Sequence, residues 1–290
     1  MLIPARYADD RQTLSFEVFP PKKDADIPKI YDVIRELAAI SPDFVSVTYG
    51  ASGRERTEKT VDIAANIESG FGIPALAHLT CVSATKAEIE DILLKLRARG
   101  IDNILALLGD PVPDAPPSHD YRHASDLIRQ IRAADMGFAI GAAAYPEGHI
   151  RCPRFSDDIR HLRMKEEAGA DFFITQLFFD NEIFYRFLDI ARASGVTKPI
   201  SAGIMPILGR QQIERMIFMC GVSLPSGVIK LLYRYEHDSI SLRKAGIEYA
   251  ARQARELLRK GVDGIHIYTM NQPDIAESIA DYVRIRNYRK

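Results

Sequence analysis

The chain has 290 residues and a formal net charge of −1, from 38 Lys+Arg against 39 Asp+Glu. With 47% apolar and 27% charged residues, it is excluded from the disordered, fibrous and disulfide-miniprotein classes. No stretch nears 18 uninterrupted apolar residues, which excludes a transmembrane helix, and the even charge balance gives no global field to attract nucleic acid.

At about 150 residues per domain, length alone suggests two domains; the patterning points elsewhere. The N-terminus, MLIPARYADDRQT, carries charges where a signal peptide has its apolar region, so a cytoplasmic protein is expected. Strand-like runs follow in order: LSFEVF (14–19), FVSVTY (44–49), ALAHLT (75–80), NILALL (103–108) and GFAIGAAAY (137–145). Then come DFFITQLFF (171–179), PISAGIMP (199–206) and GIHIYTM (264–270). Between them lie amphipathic segments such as IPKIYDVIRELAAI, TKAEIEDILLKLRARG and SDDIRHLRMKEEAGA. Thr57, Ser83 or Thr85, and Ser156 are candidate N-caps; Gly100, Gly169, Gly195 and Gly261 are candidate stops. Residues 224–260 exceed one helix and are read as two.

The strand runs are continuously apolar rather than alternating, as in parallel strands covered on both faces. Strand–helix repeated eight times predicts one α/β domain over 1–290, a (β/α)8 TIM barrel with an extra helix before the last strand. The alternative, an open doubly wound sheet, needs an early GxGxxG-like turn, and none is present. The proline-rich segment DPVPDAPPSHDY (110–121) is read as an active-site loop. The basic tail Arg284, Arg286, Arg289 and Lys290 is read as a solvated helix end. Cys81, Cys152 and Cys220 are widely spaced and lack a CxxC pair, so three reduced thiols and no metal site are expected.

In such a barrel, polar residues at the C-terminal ends of strands mark the site. Glu17, Thr48, His78, Asp110, Tyr145, Glu147, His149, Gln176, Tyr268 and Asn271 all fall there. Glu17, among Phe16 and Phe19, is expected to be desolvated with a raised pKa, as a general acid needs. The plainer alternative is a glutamate paired with a buried Arg or Lys. Asp110 reads equally as a turn residue, and His78 and His149 as hydrogen-bonded core histidines. Gln176 needs partners, either a ligand with an amide edge or the backbone. No nucleophile elbow, HExxH or P-loop is present, so an organic cofactor is inferred.

The segments SFEVFPPK (15–22), FVSVTYGASGRERT (44–57), AHLTC (77–81), NILALLGDPV (103–112), GAAAYPEGH (141–149), EAGADFFITQLFFDN (167–181), GIMPI (203–207) and IHIYTMN (265–271) resemble, in order, the 5,10-methylenetetrahydrofolate reductase family of the single-domain bacterial type. The resemblance implies an oxidoreductase that passes hydride from NADH or NADPH through a flavin, FAD or FMN, to methylenetetrahydrofolate. It further implies a homo-oligomer, with an iron–sulfur partner subunit as the alternative electron source.

Carried over by position, Glu17 is the general acid toward the folate ring nitrogen. Asp110 lies near the flavin pyrimidine edge and the pterin. Thr48, His78, Leu108, Gly109, His123, Ala124, Ala143, Tyr145, His149, Asp158, His161 and Lys165 fall on flavin-binding positions. Lys22, Gln176, Gln212, Met216, Tyr268 and Gln272 fall on folate or nicotinamide positions. Leu108 replaces the Arg of an L-R-G-D motif, which removes a phosphate contact and leaves Arg122 or Arg163 as replacements. Gln272 replaces an Arg that contacts the folate.

Overall fold

The computed structural model describes residues 1–49, 54–111 and 119–284, without the side chains of 9–10 and 54–57. Eight parallel strands follow one another around a closed barrel. They are β1 (Thr13–Val18), β2 (Phe44–Val47), β3 (Ala75–Thr80), β4 (Asn103–Leu107), β5 (Ala139–Ala144), β6 (Phe172–Thr175), β7 (Ile200–Ile204) and β8 (Gly264–Tyr268). β1 pairs with both β2 and β8, so no edge is left open. Seven lie inside the runs predicted from the apolar patterning, and β1 begins one residue ahead of its run, at Thr13.

The continuous apolarity has a structural cause: each strand is covered on both faces. Outward residues such as Phe16, Val18, Ile104 and Ile265 join the core beneath the helices. Inward residues Phe44, Leu76, Leu105, Phe172 and Ile174 fill the barrel, together with Ile3 from an N-terminal 3-10 helix (Ile3–Asp10). That helix plugs the barrel floor. The Ile3 N–H donates to Asn103 Oδ1 at 2.8 Å, and Tyr7 Oη bonds Ser201 Oγ at 2.8 Å.

The helices are α1 (Ile27–Ala39), α2 (Arg54–Phe71), α3 (Lys86–Ala98), α4 (Ala124–Ala133), α5 (Phe155–Glu167), α6 (Asn181–Ala193), α7 (Arg210–Cys220), α8 (Ser226–Arg234), α9 (Ser239–Arg259) and α10 (Pro273–Arg284). The 224–260 region holds two helices, as its length predicts. Of the candidate caps, Thr85 opens α3 with a capping box: its side chain accepts from the Glu88 N–H, and Glu88 accepts from the Thr85 N–H. Thr57 lies inside α2, and Ser156 lies inside α5, which begins one residue earlier after Arg154. Asp157 and Asp158 in the first turn of α5 complement its N-terminal dipole without a hydroxyl cap.

Helix α9 sits unusually close to the barrel top. A Cβ on Gly246 would lie 1.8 Å from the Ile207 carbonyl oxygen, so only glycine allows this approach. At the chain's other end, Arg284 is not a free solvated cation; its Nη2 donates to the Ile40 carbonyl. Arg286, Arg289, Lys290 and most of the 110–121 loop lie outside the described residues.

Candidate active site at the mouth of the barrel

The C-terminal ends of the strands surround a cavity of about 880 Å³, a size suited to a large organic ligand. Its wall gathers Glu17, Thr48, His78, Leu108, Gly109, Asp110, His123, Ala124, Ala143, Tyr145, His149, Asp158, His161, Lys165, Gln176, Met216 and Tyr268. These come from segments more than 250 residues apart (Glu17 to Tyr268), brought together by the register of β1 with β2 and β8: Glu17 stands opposite Ser46 and Tyr268.

Glu17 forms the floor. Its Oε2 lies 3.4 Å from Ser46 Oγ, 3.5 Å from His78 Nε2 and 3.6 Å from His266 Nε2. The expected partners, a buried Arg or Lys, are replaced by two histidines. Burial raises the Glu17 pKa, but a hydrogen bond from His266, the charges of His78 and His266, and Ser46 bring it below its ordinary value. This corrects the expectation of a raised pKa, which counted the aromatic neighbours and missed the polar layer beneath. Phe16 points outward into the helix-side core, not against the carboxylate. Burial lowers His78 to about 4, against the opposing charge of Glu17. His78 is therefore a neutral imidazole near pH 7, and its buried Nε2 has no hydrogen-bond partner. Tyr268 donates to the Thr175 carbonyl at 2.7 Å, and burial holds its phenol protonated.

The β4–β5 side carries the positive charge. Lys165 Nζ, reaching in from α5, donates to the Ala143 carbonyl at 2.8 Å and lies 5.2 Å from the Tyr145 ring centroid. Burial lowers its pKa to about 8, partly offset by Asp158. Tyr145 packs edge-on to His149 at 4.7 Å, and the His149 N–H donates to Asp158. The His123 and His161 rings lie 5.1 Å apart, tilted by 34°. Gly109 turns the chain after β4 with φ +88°, and a Cβ there would sit 2.9 Å from Thr80 Cβ. Asp110 follows on the rim, 89% exposed, with Arg151 Nη2 3.3 Å from its Oδ1 and 3.1 Å from the Gly109 carbonyl.

Other expected residues are placed differently. Gln176 lines the cavity, but its Oε1 accepts from the Leu177 N–H at 2.9 Å, so the backbone takes half of its amide. Gln212 is off the cavity wall: it accepts from the Leu208 N–H at 2.7 Å and donates to the Pro206 carbonyl at 3.1 Å. Lys22 is exposed beyond β1, off that wall. Gln272 is also off it and accepts from Arg243 Nη2 at 2.9 Å. Asn271 clamps both backbone groups of Phe19, and Glu147 accepts from the Ser223 N–H; both are loop braces. Arg122 lines the cavity, whereas Arg163 is off the wall and pairs with Glu167.

Sequence reasoning missed Ser15, Ser46 and His266, which form a polar layer one step below the strand ends. Ser15 Oγ bonds His266 Nδ1 at 2.8 Å. The period-2 alternation from Glu17 back to Ser15 held the signal. Arg151 and Arg160 on the cavity wall were also missed. Cys152, Asp158 and His161 bring ligand atoms within 4.8 Å of one another, but they share this wall with Arg151, Arg160 and Lys165, whose field disfavours a bound cation.

Residues 3–284 match the family model described as methylenetetrahydrofolate reductase. Methylenetetrahydrofolate reductase 1 of Schizosaccharomyces pombe is 36% identical over 267 residues, 90% of this chain and 44% of that protein. The chain spans a little under half the length of that yeast relative. The 5,10-methylenetetrahydrofolate reductase of Escherichia coli K12 is 34% identical over 273 residues, 94% of this chain and 91% of that protein. A solved Clostridium thermocellum protein, described as binding two copies of 5-methyl-5,6,7,8-tetrahydrofolic acid, superposes with a TM-score of 0.64 at 18% identity, covering 99% of both chains. At that identity the likeness is one of fold.

Proposed function

The chain belongs to the methylenetetrahydrofolate reductase family, and we propose that it reduces 5,10-methylenetetrahydrofolate to 5-methyltetrahydrofolate with hydride from NADH or NADPH, carried by a bound flavin. The single observation behind the catalytic part of this reading is Glu17: a half-buried carboxylate at the cavity floor, beside the unpartnered Nε2 of His78.

The residues present fit a flavin. A buried polar atom without a partner awaits one at His78 Nε2. Lys165, Arg151, Arg160 and Arg122 supply cations on one wall, suited to anionic phosphates. The small side chains of Ala124 and Ala143 leave room for a flat ring system. When bound, the flavin supplies a two-electron carrier between nicotinamide and folate. Asp110, at the rim, accepts hydrogen bonds from the amino edge of the pterin. With its field it disfavours extra negative charge on a neighbouring ring.

Glu17 holds the proton that opens the folate imidazolidine ring to its electrophilic iminium form. In the open cavity its carboxyl is held low by the histidines and Ser46. A pterin seated over it excludes water and strengthens the desolvation that already raises it. Leu108 removes a phosphate contact, and Arg151, anchored to Gly109 and Asp110, is the replacement on this wall. A cytoplasmic location and a homo-oligomeric state belong to the same proposal.

The test is Glu17→Gln. The purified protein is expected to be yellow and to oxidise NADH or NADPH with menadione as acceptor. The variant should retain that half-reaction and lose folate reduction by roughly 10²–10⁴-fold, the worth of a general acid. Normal folate reduction by the variant would refute the role of Glu17. A flavin-loaded protein that oxidises neither NADH nor NADPH would instead favour electrons from an iron–sulfur partner.

A further inference from the structure

We infer that Tyr249 and Gln253, on helix α9, are positioning residues for folate recognition: they hold the loop after β6 by its backbone and so set Gln176 at the mouth, without touching the ligand themselves. The inference rests on the folate reading above, with Gln176 as a folate contact. Gln176 and Leu177 line the mouth cavity, whereas Tyr249 and Gln253 are off its wall.

The backbone of this loop is committed residue by residue. The Gln176 N–H donates to the Ala144 carbonyl at 2.8 Å, which carries the β5–β6 ladder past Thr175. The Leu177 N–H donates to Gln176 Oε1 at 2.9 Å, so the direction of the Gln176 amide follows from where the Leu177 backbone lies. The next two carbonyls go to α9: Phe178 accepts from Gln253 Nε2 at 3.0 Å, and Phe179 accepts from the Tyr249 hydroxyl. Asn181, which begins α6, donates from Nδ2 to the Gln253 carbonyl at 3.2 Å.

The spacing on α9 allows this. Gly246, Tyr249 and Gln253 stand at i, i+3 and i+7, on one face of the helix. Gly246 lets that face descend onto the barrel top, because a Cβ there would meet the Ile207 carbonyl oxygen at 1.8 Å. The helix therefore rests against the loop after β7 at one point, and its following two turns reach the loop after β6. Burial raises the Tyr249 pKa, and the charge of Asp180 adds to it, so the phenol stays protonated as a donor.

Packing alone does not account for the two amides. Gln253 is 6% exposed and Asn181 8%, and Gln253 Oε1 and Asn181 Oδ1 have no hydrogen-bond partner among the described residues. An apolar side chain would fill the same space without a buried unpaired acceptor. What an amide adds is direction, because a hydrogen bond orients a carbonyl where dispersion only fills volume. The rings of the loop are already held by apolar contacts: Phe178 stacks on Phe184 at 5.2 Å, and Phe179 lies in a buried cluster with Leu177 and Met205.

The experiment is a double-mutant cycle on the flavin-loaded protein. Tyr249→Phe keeps the ring and removes only the hydroxyl. It should raise the KM for methylenetetrahydrofolate by about threefold to tenfold, the worth of one net hydrogen bond, while oxidation of NADH or NADPH with menadione is unchanged. Gln253→Leu should act in the same direction. Gln176→Ala should raise that KM by itself, and in its background Tyr249→Phe should add less than about twofold, because contacts that act through one group are not additive. An unchanged KM in both α9 variants, or in Gln176→Ala, would overturn the positioning role. So would a full additive rise in the Gln176→Ala background, or a parallel loss of the menadione reaction, either of which would mean a general loosening of the barrel top. Wild type that reduces no methylenetetrahydrofolate from any donor would overturn the folate reading itself, and this inference with it.

Discussion

Replacing Lys165 with methionine sets stability against cofactor binding. The folded protein holds this ammonium at a pKa of about 8 against an ordinary 10.5, because burial penalises the charge. The difference, 10.5 − 8 = 2.5 pH units, corresponds to ~3.4 kcal/mol of folding free energy at pH 7 at 1.36 kcal/mol per unit. Methionine removes the charge but also the hydrogen bond to the Ala143 carbonyl and the contact with the Tyr145 ring, each worth about 1 kcal/mol. The cofactor-free variant should therefore gain about 1–2 kcal/mol, roughly 2–4 °C in Tm for a chain of this size.

The pH dependence has a defined sign. Between about pH 8 and 10.5 the unfolded chain keeps the Lys165 proton while the folded one has lost it, so this group makes stability rise with pH in that window. Below about pH 8 both states are protonated and the penalty is constant. Thermal melts of cofactor-free wild type and Lys165→Met from pH 7 to 10 should converge as pH rises. Flavin-loaded protein should show the reverse order, with faster flavin loss from the variant, because the anion that justified the buried charge has lost its partner. A cofactor-free variant that is less stable than wild type by a pH-independent amount would refute the argument.

Three other perturbations follow from the geometry. Leu108→Arg should slow flavin loss on dilution; unchanged retention, read by released fluorescence, would mean that Arg151 already fills the role. Gly246→Ala should cost about 1–3 kcal/mol in urea melts despite alanine's better helix propensity, because its methyl would overlap the Ile207 carbonyl. The Glu17 carboxyl is held below its ordinary value, so it adds stability above that value that is lost as pH falls through the lower, folded one. Acid melts of cofactor-free wild type and Glu17→Gln should therefore converge as the pH falls; a constant gap would contradict the depressed pKa.

The barrel was legible because its cause is local and repeated. Eight apolar runs, each followed by an amphipathic segment, leave few ways to bury both faces of every strand, and the absence of a linker turned an expected two domains into one. The site was legible where it lay at strand ends, from Glu17 to Tyr268. It was not legible one layer lower: Ser15, Ser46 and His266 look in sequence like ordinary residues within strands. Nor could spacing distinguish Gln176, which reaches the cavity, from Gln212, whose amide closes its own loop.

Composition, period and strand-end chemistry thus determined by themselves the barrel and the mouth residues at its strand ends, because each follows from a pattern repeated along the chain; the mouth residues beyond the strand ends, such as Asp158 and Lys165, were reached only through the family resemblance. Protonation and partners were decided only by tertiary structure. Whether Glu17 is held high or low depends on His78 and His266, from β3 and β8. The positive wall is set by Lys165 and Arg151, and the fate of Gln272 by Arg243, all of them contacts between elements far apart in sequence. Electrostatic energies depend on such distances and on burial, which periodicity does not encode.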